Sequence, residues 1–521
     1  MLNLLVPLFV SALVGIFRAE GADAAPPRPN VLFIVVDDLR PELGCYGKDY
    51  IRSPNIDRIA KAGMVFNRAY CQQAVCSPTR SSLLTGTRPD TTKVWDLKTH
   101  FRTALPDVVT LPQHFKQNGY FVQGMGKVYH GGFNDTQSWS VPWVNPKAPV
   151  YVLPENAELN SHKPAGEPDG DGESRKPIPG ENEPYAAGEI ATNRLNTRGP
   201  AFECADVPDS FYTDGKVGDL AVSALRNIAG KKEPFFLAVG LVKPHLPFVA
   251  PKKYWDLYDP ANIKLAPNPF RPKDAPDYAI LQGDELRMYH NIPSGHMPDD
   301  LARQLKHAYY ACVSYTDAQV GRVLDELDHL GLRTNTIVIL WGDHGWKLGE
   351  HDAWAKHSNV ENDVNAPLIL SAPGMKNAGT HTDALVEFVD IYPTLSELAG
   401  LPLLGHLEGT SLKPLLDDPK RAWKSAAFSQ YPRSLKGGLM GYTMRTDRYR
   451  LTVWVSRTDH SKVDATELYD HQVDPQENVN IAKDPANAEL LKQLMAQWKR
   501  GWQGAKPPVA RAVKAGQSTA R

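Results

Sequence analysis

The fold class is indicated by residues 31–38, which read VLFIVVDD. The first six residues are all apolar and mostly β-branched, which is typical of a strand that is buried on both faces of a parallel sheet. Two carboxylates, Asp37 and Asp38, follow at the carboxyl end of this predicted strand. Ligands of open α/β sheets bind beyond the carboxyl ends of the strands. We therefore predict an α/β fold with a functional site that contains Asp37 and Asp38.

The same layout recurs at two other places in the chain. The apolar run at 336–341 is followed by Asp343 and His344, and the run at 234–241 is followed by Lys243-Pro244-His245. The carboxyl ends of parallel strands meet at one edge of a sheet. The three sets of polar residues are therefore predicted to converge on a single cleft, although they are remote in sequence.

Composition limits the classes of protein to consider. The chain has 521 residues, of which 42% are hydrophobic and 22% charged, and its formal net charge is −1. These values are ordinary for a soluble globular protein, and they provide no extended positive field for nucleic acid or an anionic membrane. Any basic site must be local.

The N-terminus predicts export. Residues 2–17 are almost entirely apolar but too short to span a bilayer comfortably, and Ala22-Asp23-Ala24 resembles a signal-peptidase site. We interpret residues 1–24 as a signal peptide and place the protein in a periplasmic, secreted or lysosome-like compartment. Because no Lys or Arg precedes the apolar run, an uncleaved membrane anchor is the alternative.

The rest of the chain divides into segments that differ in composition and in the spacing of their apolar residues. Residues 25–405 are predicted to form the main domain, with helical spacing at 301–330 and 383–400 and an exposed polar insertion at about 151–200. Residues 406–505 contain strand-like runs at 439–444 and 449–455 and then an amphipathic helix, which predicts a smaller α+β subdomain. The tail at 506–521 has little to bury and is predicted to be disordered.

The most specific motif is at residues 76–88, which read CSPTRSSLLTGTR. This run resembles the signature of the type I sulfatases, in which the cysteine of Cys-x-Pro-x-Arg is oxidised to formylglycine. A second family signature is matched by Gly119-Tyr120 and by residues 126–130, GKVYH. Matches at 30–38, 52–57, 243–245, 342–345 and 354–356 make the chain most similar to the iduronate-2-sulfatase branch. Thr79 and Val122 depart from the residues that the family usually has there.

The resemblance implies an alkaline-phosphatase-like fold with a mixed, mostly parallel sheet and a formylglycine at position 76. The hydrate of that aldehyde has two hydroxyls, one to attack sulfur and one to expel sulfate afterwards, whereas a serine could perform only the first step easily. The alternative interpretation of Cys76 is a buried free thiol that packs like a small apolar residue. If Cys76 is converted, four cysteines remain, and their pairing is not predictable from sequence.

A metal site is predicted from Asp37, Asp38, Asp343 and His344, with residue 76 supplying a further oxygen. Three carboxylates suit a hard cation, and Ca²⁺ tolerates irregular coordination better than Mg²⁺ does. The alternative for the Asp pair is ordinary turn chemistry at a strand end. We expect one calcium ion.

Hydrolysis of a sulfate ester also requires positive charge around the sulfonyl oxygens. The resemblance implies that Arg80 holds the residue-76 hydroxyl, that Lys127 and His130 flank it, and that Lys356 contacts sulfate. The leaving alcohol needs a proton, which a histidine can supply near neutral pH. His245 is the predicted donor, and Lys356 is the alternative.

Together these patterns predict an exported, calcium-dependent sulfuric ester hydrolase. By resemblance, its substrate is a sulfated carbohydrate with 2-O-sulfated uronic acid units of the glycosaminoglycan type. Its maturation requires a formylglycine-generating or anaerobic sulfatase-maturating enzyme. Two alternatives remain open: a phosphatase or phosphonate hydrolase of the same fold, and a non-catalytic glycan-binding protein with unmodified Cys76.

Overall fold

The computed structural model describes residues 28–161, 198–281 and 285–508. The predicted signal peptide, most of the polar insertion and most of the predicted tail lie outside these residues. Within the described ranges, no helix has both the length and the apolar character needed to cross a bilayer. All five cysteines fall inside the described ranges, and none of them forms a disulfide.

Strands and helices alternate through the first three quarters of the chain, and strands dominate the part after residue 425. The strands are β1 Asn30–Val36, β2 Met64–Phe66, β3 Ala69–Tyr70, β4 Phe121–Gly126, β5 Phe202–Ala205, β6 Phe235–Leu241, β7 Phe248–Pro251, β8 Thr336–Gly342, β9 Leu368–Ser371, β10 Thr380–Thr382, β11 Val386–Glu387, β12 Ala427–Arg433, β13 Leu439–Arg445, β14 Tyr449–Ser456 and β15 Val463–Asp470. The helices are α1 Pro54–Ala62, α2 Cys76–Thr85, α3 Pro89–Thr92, α4 Leu111–Gln117, α5 Pro154–Ser161, α6 Thr213–Ile228, α7 Lys252–Trp255, α8 Asp299–His329, α9 Glu361–Val364, α10 Ile391–Leu398, α11 Lys413–Asp417 and α12 Ala488–Lys499.

The large sheet has the order β10-β2-β9-β8-β1-β6-β4. Strands β8, β1, β6 and β4 are mutually parallel, and β9 runs antiparallel to both β8 and β2. The three apolar runs found in the sequence are thus adjacent, with β1 between β6 and β8. Val36 is paired with Leu241 on one side and Gly342 on the other, so the three strands end together. The predicted convergence of the strand ends is confirmed.

Every residue of β1, β6 and β8 is buried because helices cover both faces of the sheet. Leu32, Ile34 and Val36 pack in a core with residues of α1, α6 and α8. Val31, Phe33 and Val35 point the opposite way and pack with residues of α2, α4 and α10. This two-sided burial explains why the strands read as continuous apolar runs rather than alternating ones.

The helical spacing at 301–330 belongs to one continuous helix, α8, of 31 residues. Strands β12–β15 form a separate antiparallel sheet in sequential order, and Leu494 of α12 packs into its core. The backbone N–H of Gln430 in β12 donates to the carbonyl of Gln72 at 2.8 Å, which ties this sheet to the loop that leads into α2. The predicted mixed α/β sheet with a smaller C-terminal α+β unit is confirmed.

Candidate active site

Helix α2 begins at Cys76, and the helical repeat determines which residues of the motif lie beside Cys76. All ten of its residues are buried. Residues three and four apart lie on the same helix face, so Thr79 and Arg80 lie on the same face as Cys76. The Thr79 hydroxyl donates to the carbonyl oxygen of Asp343 at 2.9 Å, which fixes the first turn of α2 against the end of β8. The amino end of a helix favours negative charge, and here it lies at residue 76.

Arg80 is the central cation of the site and is fully buried. Its Nε donates to Oδ2 of Asp343 at 3.0 Å, and its Nη2 donates to Oδ1 of Asp37 at 2.8 Å. Its Nη1 donates to the carbonyl oxygens of Lys127 and Val128, the latter at 3.0 Å. One guanidinium therefore joins the ends of β1, β4 and β8. The Cys-x-Pro-x-Arg spacing delivers this group one helical turn from Cys76.

The carboxylates at the ends of β1 and β8 are held by backbone groups as well as by cations. Oδ1 of Asp343 accepts from the backbone N–H of Asp38 and from that of His344, both at 3.0 Å. Asp38 has φ +56°, a left-handed conformation that Asp adopts more readily than most residues. This sharp turn lets consecutive residues, Asp37 and Asp38, both enter the site.

Lys127 directly follows β4, and its position in the site depends on two glycines, Gly126 and Gly240. Its backbone N–H donates to the carbonyl oxygen of Gly240 at 3.0 Å. A Cβ on Gly126 would lie 2.0 Å from that same oxygen, and Gly126 also has φ +65°, so only glycine fits there. The Lys127 ammonium donates to Oδ2 of Asp37. Sequence analysis did not recognise this role of Gly126 and Gly240.

Lys356 and His245 approach the site from the other side of Asp38. The Lys356 ammonium donates to both carboxylate oxygens of Asp38, at 2.9 and 3.0 Å, and lies over the ring of Trp346. Nε2 of His245 lies 3.9 Å from Oδ2 of Asp38 and 4.0 Å from Oδ2 of Asp37. Its Nδ1 is 2.7 Å from the carbonyl oxygen of Leu246 and donates to it, which directs Nε2 into the cleft.

His344 is placed next to the thiol. Its Nε2 lies 3.3 Å from Sγ of Cys76 and 3.4 Å from Oδ1 of Asp38. Its Nδ1 is 3.0 Å from the carbonyl oxygen of Gly345 and donates to it, so the lone pair of Nε2 faces the carboxylates. This is the tautomer that a metal-binding imidazole requires.

No hydrogen bond or ion pair in the described part of the chain joins the side chain of His130 to the other predicted residues. Its ring packs against Phe133 with centroids 6.1 Å apart, and its Nδ1 has no hydrogen-bond partner among the described residues. Burial and the nearby charge of Lys127 lower the pKa of His130 to about 3, so the ring is neutral. The other predicted residues form one connected cluster: Asp37, Asp38, Cys76, Arg80, Lys127, His245, Asp343, His344 and Lys356.

Sequence analysis missed one member of this cluster, Glu285. Its Oε2 lies 3.1 Å from the Lys356 ammonium, and its Oε1 lies 3.4 Å from Nε2 of His245. No apolar run or recognisable motif precedes Glu285, so the sequence offers no signal that it would enter the cleft.

The cations of the cluster stabilise the charged forms of its carboxylates to different degrees. Burial alone would raise the pKa of Asp37, but Lys127 and Arg80 overcome this and hold it well below its usual range. Burial raises the pKa of Asp38 well above its usual range, and the negative charges of Asp37, Asp343 and Glu285 add to this despite Lys356. Burial also lowers the pKa of His245 and of His344, so both rings are neutral at neutral pH. The crowding of carboxylates around Asp38 is therefore only partly compensated by protein cations.

These donors fit a divalent cation. Ligand atoms of Asp37, Asp38, Cys76 and His245 lie within 4.8 Å of one another, as do those of Cys76, Asp343 and His344. Several carboxylate oxygens and two neutral imidazoles surround the position of residue 76, and a hard cation there would relieve the crowding that raises the pKa of Asp38. His245 joins the first group, although sequence analysis assigned it only to proton transfer.

A third acidic group, Glu361, His471 and Glu477, has similar spacing but a different character. Arg450 donates to both Glu361 and Glu477, and Arg445 contacts Glu361 and Nδ1 of His471. Since arginines already occupy these carboxylates, this group is an ion-pair network that supports the C-terminal sheet.

Comparisons with known proteins agree with the geometry. The sulfatase family model matches residues 29–401, and the model described as N-sulphoglucosamine sulphohydrolase, C-terminal, matches residues 349–502. Iduronate 2-sulfatase of Mus musculus is 35% identical over 563 aligned residues, which cover 94% of this chain and 97% of that one. The polar cluster lies entirely within the first matched range.

Two solved structures show the same fold at low identity. A complex with the substrate D-glucosamine-2-N,6-O-disulfate superposes with a TM-score of 0.68 at 21% identity, over 92% of this chain and 98% of that chain. A phosphonate monoester hydrolase from Silicibacter pomeroyi superposes with a TM-score of 0.68 at 22% identity, over 92% and 96% of the two chains. The fold is the predicted alkaline-phosphatase-like α/β fold. With a family model that covers residues 29–401 and a relative that matches almost from end to end, this chain belongs to the sulfatase family of sulfuric ester hydrolases.

Proposed function

We propose that this sulfatase removes the O-sulfate from 2-O-sulfated uronic acid units of a glycosaminoglycan, using formylglycine formed from Cys76 and one calcium ion. The observation that carries the proposal is the position of Cys76. It stands at the amino end of α2, close to the carboxylates of Asp37, Asp38 and Asp343, and these carboxylates are paired with Arg80, Lys127 and Lys356. A nucleophile needs this combination of cations if an anionic ester is to approach it.

As a formylglycine hydrate, residue 76 supplies two hydroxyls: one attacks sulfur as the alcohol leaves, and the other then expels sulfate and restores the aldehyde. Arg80 remains fixed between Asp37 and Asp343 and orients residue 76. Lys127 and Lys356 stabilise negative charge that develops on the sulfonyl oxygens. Burial would lower the pKa of Lys356, but Asp38 raises it well above its usual range, so this ammonium is charged. By resemblance to the family, His130 flanks residue 76, and its ring is neutral.

The departing sugar oxygen must gain a proton. Two groups at the mouth of the cluster are candidates, His245 and Lys356, and they share Glu285 as a neighbour. His245 is our first choice because Nδ1 is fixed by the carbonyl oxygen of Leu246, which leaves Nε2 directed into the cleft. Since the resting ring carries its proton on Nδ1, Nε2 must first take up a proton from solvent, which the neighbouring Glu285 carboxylate favours, and it would then pass that proton to the sugar oxygen. Lys356 is the alternative, since it is cationic and lies beside the same carboxylate.

The calcium ion would be held by Asp37, Asp38, Asp343 and His344 together with residue 76. Bound there, it would draw negative charge from a sulfate oxygen and from the residue-76 hydroxyl. The lone pair of His344 Nε2 already faces this position. The backbone N–H groups that hold Asp343 keep its carboxylate in place without requiring the ion.

The substrate assignment draws on the relatives. The curated protein that is 35% identical is named iduronate 2-sulfatase, which is the branch that the sequence motifs resemble. We further infer that residues 1–24 direct export, that residues 25–405 form the catalytic domain, with residues 406–505 as the C-terminal subdomain, and that a formylglycine-generating or anaerobic sulfatase-maturating enzyme converts Cys76.

The test is to express the chain with a formylglycine-generating enzyme and to weigh the peptide that contains residue 76. Conversion removes about 18 Da relative to cysteine. Converted protein is then assayed on a 2-O-sulfated uronic acid disaccharide, an aryl sulfate, an aryl phosphate and a phosphonate monoester. We expect hydrolysis of the disaccharide at the highest kcat/KM, loss of activity in Cys76→Ala, and retained activity in the matched variant Cys312→Ala, whose thiol is buried in α8.

The assay also decides between the alternatives. Preference for the phosphate or phosphonate substrates would support a phosphoester hydrolase on this fold. Full conversion without hydrolysis of any ester would contradict the enzymatic assignment. Unconverted Cys76 in protein from its own host, combined with tight binding of the sulfated disaccharide, would favour a glycan-binding protein.

A further inference from the structure

Two basic side chains lie over the indole ring of Trp95. Nζ of Lys93 is 5.6 Å from the ring centroid, and Cζ of Arg457 is 5.1 Å from it. Lys93 directly follows α3, whereas Arg457 directly follows β14, so the α/β part of the chain and the C-terminal sheet contribute one cation each. A cation over an exposed ring gains about 0.5–1 kcal/mol, which positions the charge but does not neutralise it.

Neither cation has an acidic partner among residues 28–161, 198–281 and 285–508. Both residues are anchored through the backbone: the N–H of Lys93 donates to the carbonyl oxygen of Pro89 at 2.8 Å, and that of Arg457 donates to Gly438 at 3.0 Å. Within these ranges, their side chains form no ion pair and no hydrogen bond. Lys93 is exposed and Arg457 is half-buried. The donors of the ammonium and of the guanidinium are therefore open to a ligand.

Hydrogen bonds fix both the side chain and the backbone of Trp95. Its Nε1 donates to Oδ1 of Asp90 at 3.3 Å, and its carbonyl oxygen accepts from Nε2 of Gln73 at 2.8 Å. Groups that are held in place before a ligand arrives lose less conformational freedom when they bind it. The ring that carries the two cations is thus set in advance.

Asp90 connects Trp95 to a cavity of about 270 Å³ between α3 and the C-terminal sheet. Asp90 lines this cavity, and its Oδ2 accepts from the hydroxyl of Tyr442, another lining residue, at 2.8 Å. Sites for drug-sized ligands have volumes of about 300–1,000 Å³ and are lined by aromatic rings with a few polar groups. This cavity is slightly smaller, which suits a single ring such as a pyranose. Five rings contribute to its lining: Phe428, Tyr442, His460, Trp498 and Trp502.

The charged groups of the lining are already bound to other groups of the chain. The Arg88 guanidinium donates to both carboxylate oxygens of Glu387, at 2.8 and 2.9 Å. The Glu408 carboxylate accepts from the backbone N–H of Arg88 and from the hydroxyl of Thr91, both at 2.6 Å. Asp90 accepts from three neutral donors. A charged group of a ligand is therefore not needed inside the cavity but is needed beside it, at the two cations.

The charge of Arg457 acts on the wall of the cavity. Burial and Asp90 raise the pKa of Tyr442, and Arg457 opposes this rise. An organic cation would be repelled by Lys93 and Arg457, and a neutral sugar would leave both without a partner. A sugar with an anionic substituent can place its ring against the aromatic lining and its charge against the two cations, which form strong charge-assisted hydrogen bonds with such a group.

We propose that Lys93 and Arg457 bind the sulfate or carboxylate of a sugar unit whose ring enters the aromatic cavity. This is a second binding site for an anionic polysaccharide, and it shares no residue with the cluster around Cys76. The inference goes beyond the proposed function and does not depend on turnover at residue 76. A polysaccharide bound here is held by the enzyme independently of the catalytic cleft.

The test locates binding by fluorine NMR in the Cys76→Ala chain labelled with fluorotryptophan, whose resonances are assigned by replacing single tryptophans with phenylalanine. Trp95 and Trp498 report on the proposed site. Trp346, whose ring centroid is 4.9 Å from the Lys356 ammonium, reports on the catalytic cleft. The ligands are two octasaccharides, one from heparin with sulfates and carboxylates, and one from heparosan with carboxylates alone.

The test variant, Lys93→Gln with Arg457→Gln, removes both cations from the proposed site. Its matched control, Lys61→Gln with Lys231→Gln, removes the same charge from exposed positions elsewhere. Lys231 is a close match because it also lies over a ring, that of Phe121, at 4.5 Å. Thermal unfolding of each variant verifies that it is folded.

Loss of two charge-assisted contacts predicts that the test variant weakens the binding reported by Trp95 and Trp498 by about 10- to 100-fold. Binding reported by Trp346, and all binding by the control variant, should be unchanged. A response of Trp95 to both octasaccharides assigns the bound group to the carboxylate, and a response to heparin alone assigns it to sulfate. No shift of Trp95 and Trp498 with either ligand, or equal losses in the test and control variants, would overturn the proposal.

Turnover by converted protein separates this inference from the proposed function. If Trp95 and Trp498 respond as expected but converted wild type hydrolyses no sulfate ester, the proposed function fails and the second site stands. If wild type hydrolyses the sulfated disaccharide but neither octasaccharide shifts Trp95 and Trp498, the second site fails and the sulfatase assignment stands.

Discussion

Substitution of Arg80 by lysine tests whether the fork of the guanidinium, rather than its charge, organises the site. The guanidinium contacts two carboxylates and two carbonyl oxygens through three different nitrogens. A lysine keeps the positive charge but has one nitrogen, so at least one buried carboxylate loses its hydrogen bond to residue 80. A hydrogen bond to a charged group contributes about 1.5–3 kcal/mol. We expect Arg80→Lys to lower the free energy of unfolding by about 2–4 kcal/mol.

The catalytic loss should be larger than the stability loss explains. In the proposed mechanism Arg80, held between Asp37 and Asp343, orients residue 76, so its replacement is expected to move the nucleophile relative to Lys127 and Lys356. A displacement of about 1 Å is enough to lower a rate about 100-fold. Arg80 also lies in the motif that the proposed maturating enzyme would read, so kcat/KM must be expressed per converted chain, with conversion measured from the mass of the residue-76 peptide.

Arg450 provides the matched control. It is equally buried and also donates to two carboxylates, Glu361 and Glu477, but these belong to the network that supports the C-terminal sheet. Arg450→Lys should show a similar shift in denaturant unfolding and near wild-type kcat/KM per converted, folded chain. Wild-type kcat/KM in Arg80→Lys, or an equal loss of kcat/KM in Arg450→Lys, would refute the reasoning.

Three further outcomes are expected. Cys76→Ser produced without any maturating enzyme should release at most one equivalent of alcohol per chain, because the sulfated serine has no second hydroxyl to expel sulfate; steady turnover in rapid-quench assays would contradict this. Chelation should lower both activity and thermal stability, with Ca²⁺ restoring both better than Mg²⁺ does, and Asp343→Asn should abolish the response to Ca²⁺. Burial opposes ionisation of Glu387, but Arg88 and Lys424 lower its pKa to about 2. The stability that Glu387→Gln removes should therefore be fully present above about pH 4.5 and be lost as the pH falls toward 2, while the exposed control Glu489→Gln shows no such trend in denaturant titrations at each pH.

The elements that could be predicted from sequence are those whose signals are local. The runs at 31–36, 234–241 and 336–341 read as doubly buried strands and are β1, β6 and β8. Parallel strands in one sheet end at the same edge, so the convergence of Asp37, His245 and Asp343 followed from the strand assignment. The helical spacing of apolar residues at 301–330 is also a local signal, and it predicted the helix α8.

The features that could not be predicted depend on contacts between distant segments. The position of β9 beside β8, and its antiparallel direction, leave no local trace in the sequence. Glu285 looks like a solvated charge in the sequence, because its contacts are with Lys356 and His245, which are remote from it in the chain. The proximity of His245 to both aspartates likewise depends on the turn after β6.

The buried charges at the ends of β1 and β8 do not increase the stability of the fold. Taking a carboxylate or a guanidinium out of water costs several kcal/mol even when it is paired, and apolar side chains of similar size often stabilise a core as well or better. Asp37, Asp343 and Arg80 are nevertheless completely buried. Two backbone N–H groups hold Asp343 at 3.0 Å, and Arg80 holds it again through Nε, so the carboxylate is fixed before any ligand arrives. A site fixed in this way does not have to reorganise as charge develops during the reaction, which is where electrostatic catalysis gains most. The cost in stability is thus explained by the rigidity that the site needs, and Asp343→Asn, which keeps an oxygen for both N–H donors, should fold while losing the charge that a calcium ion would require.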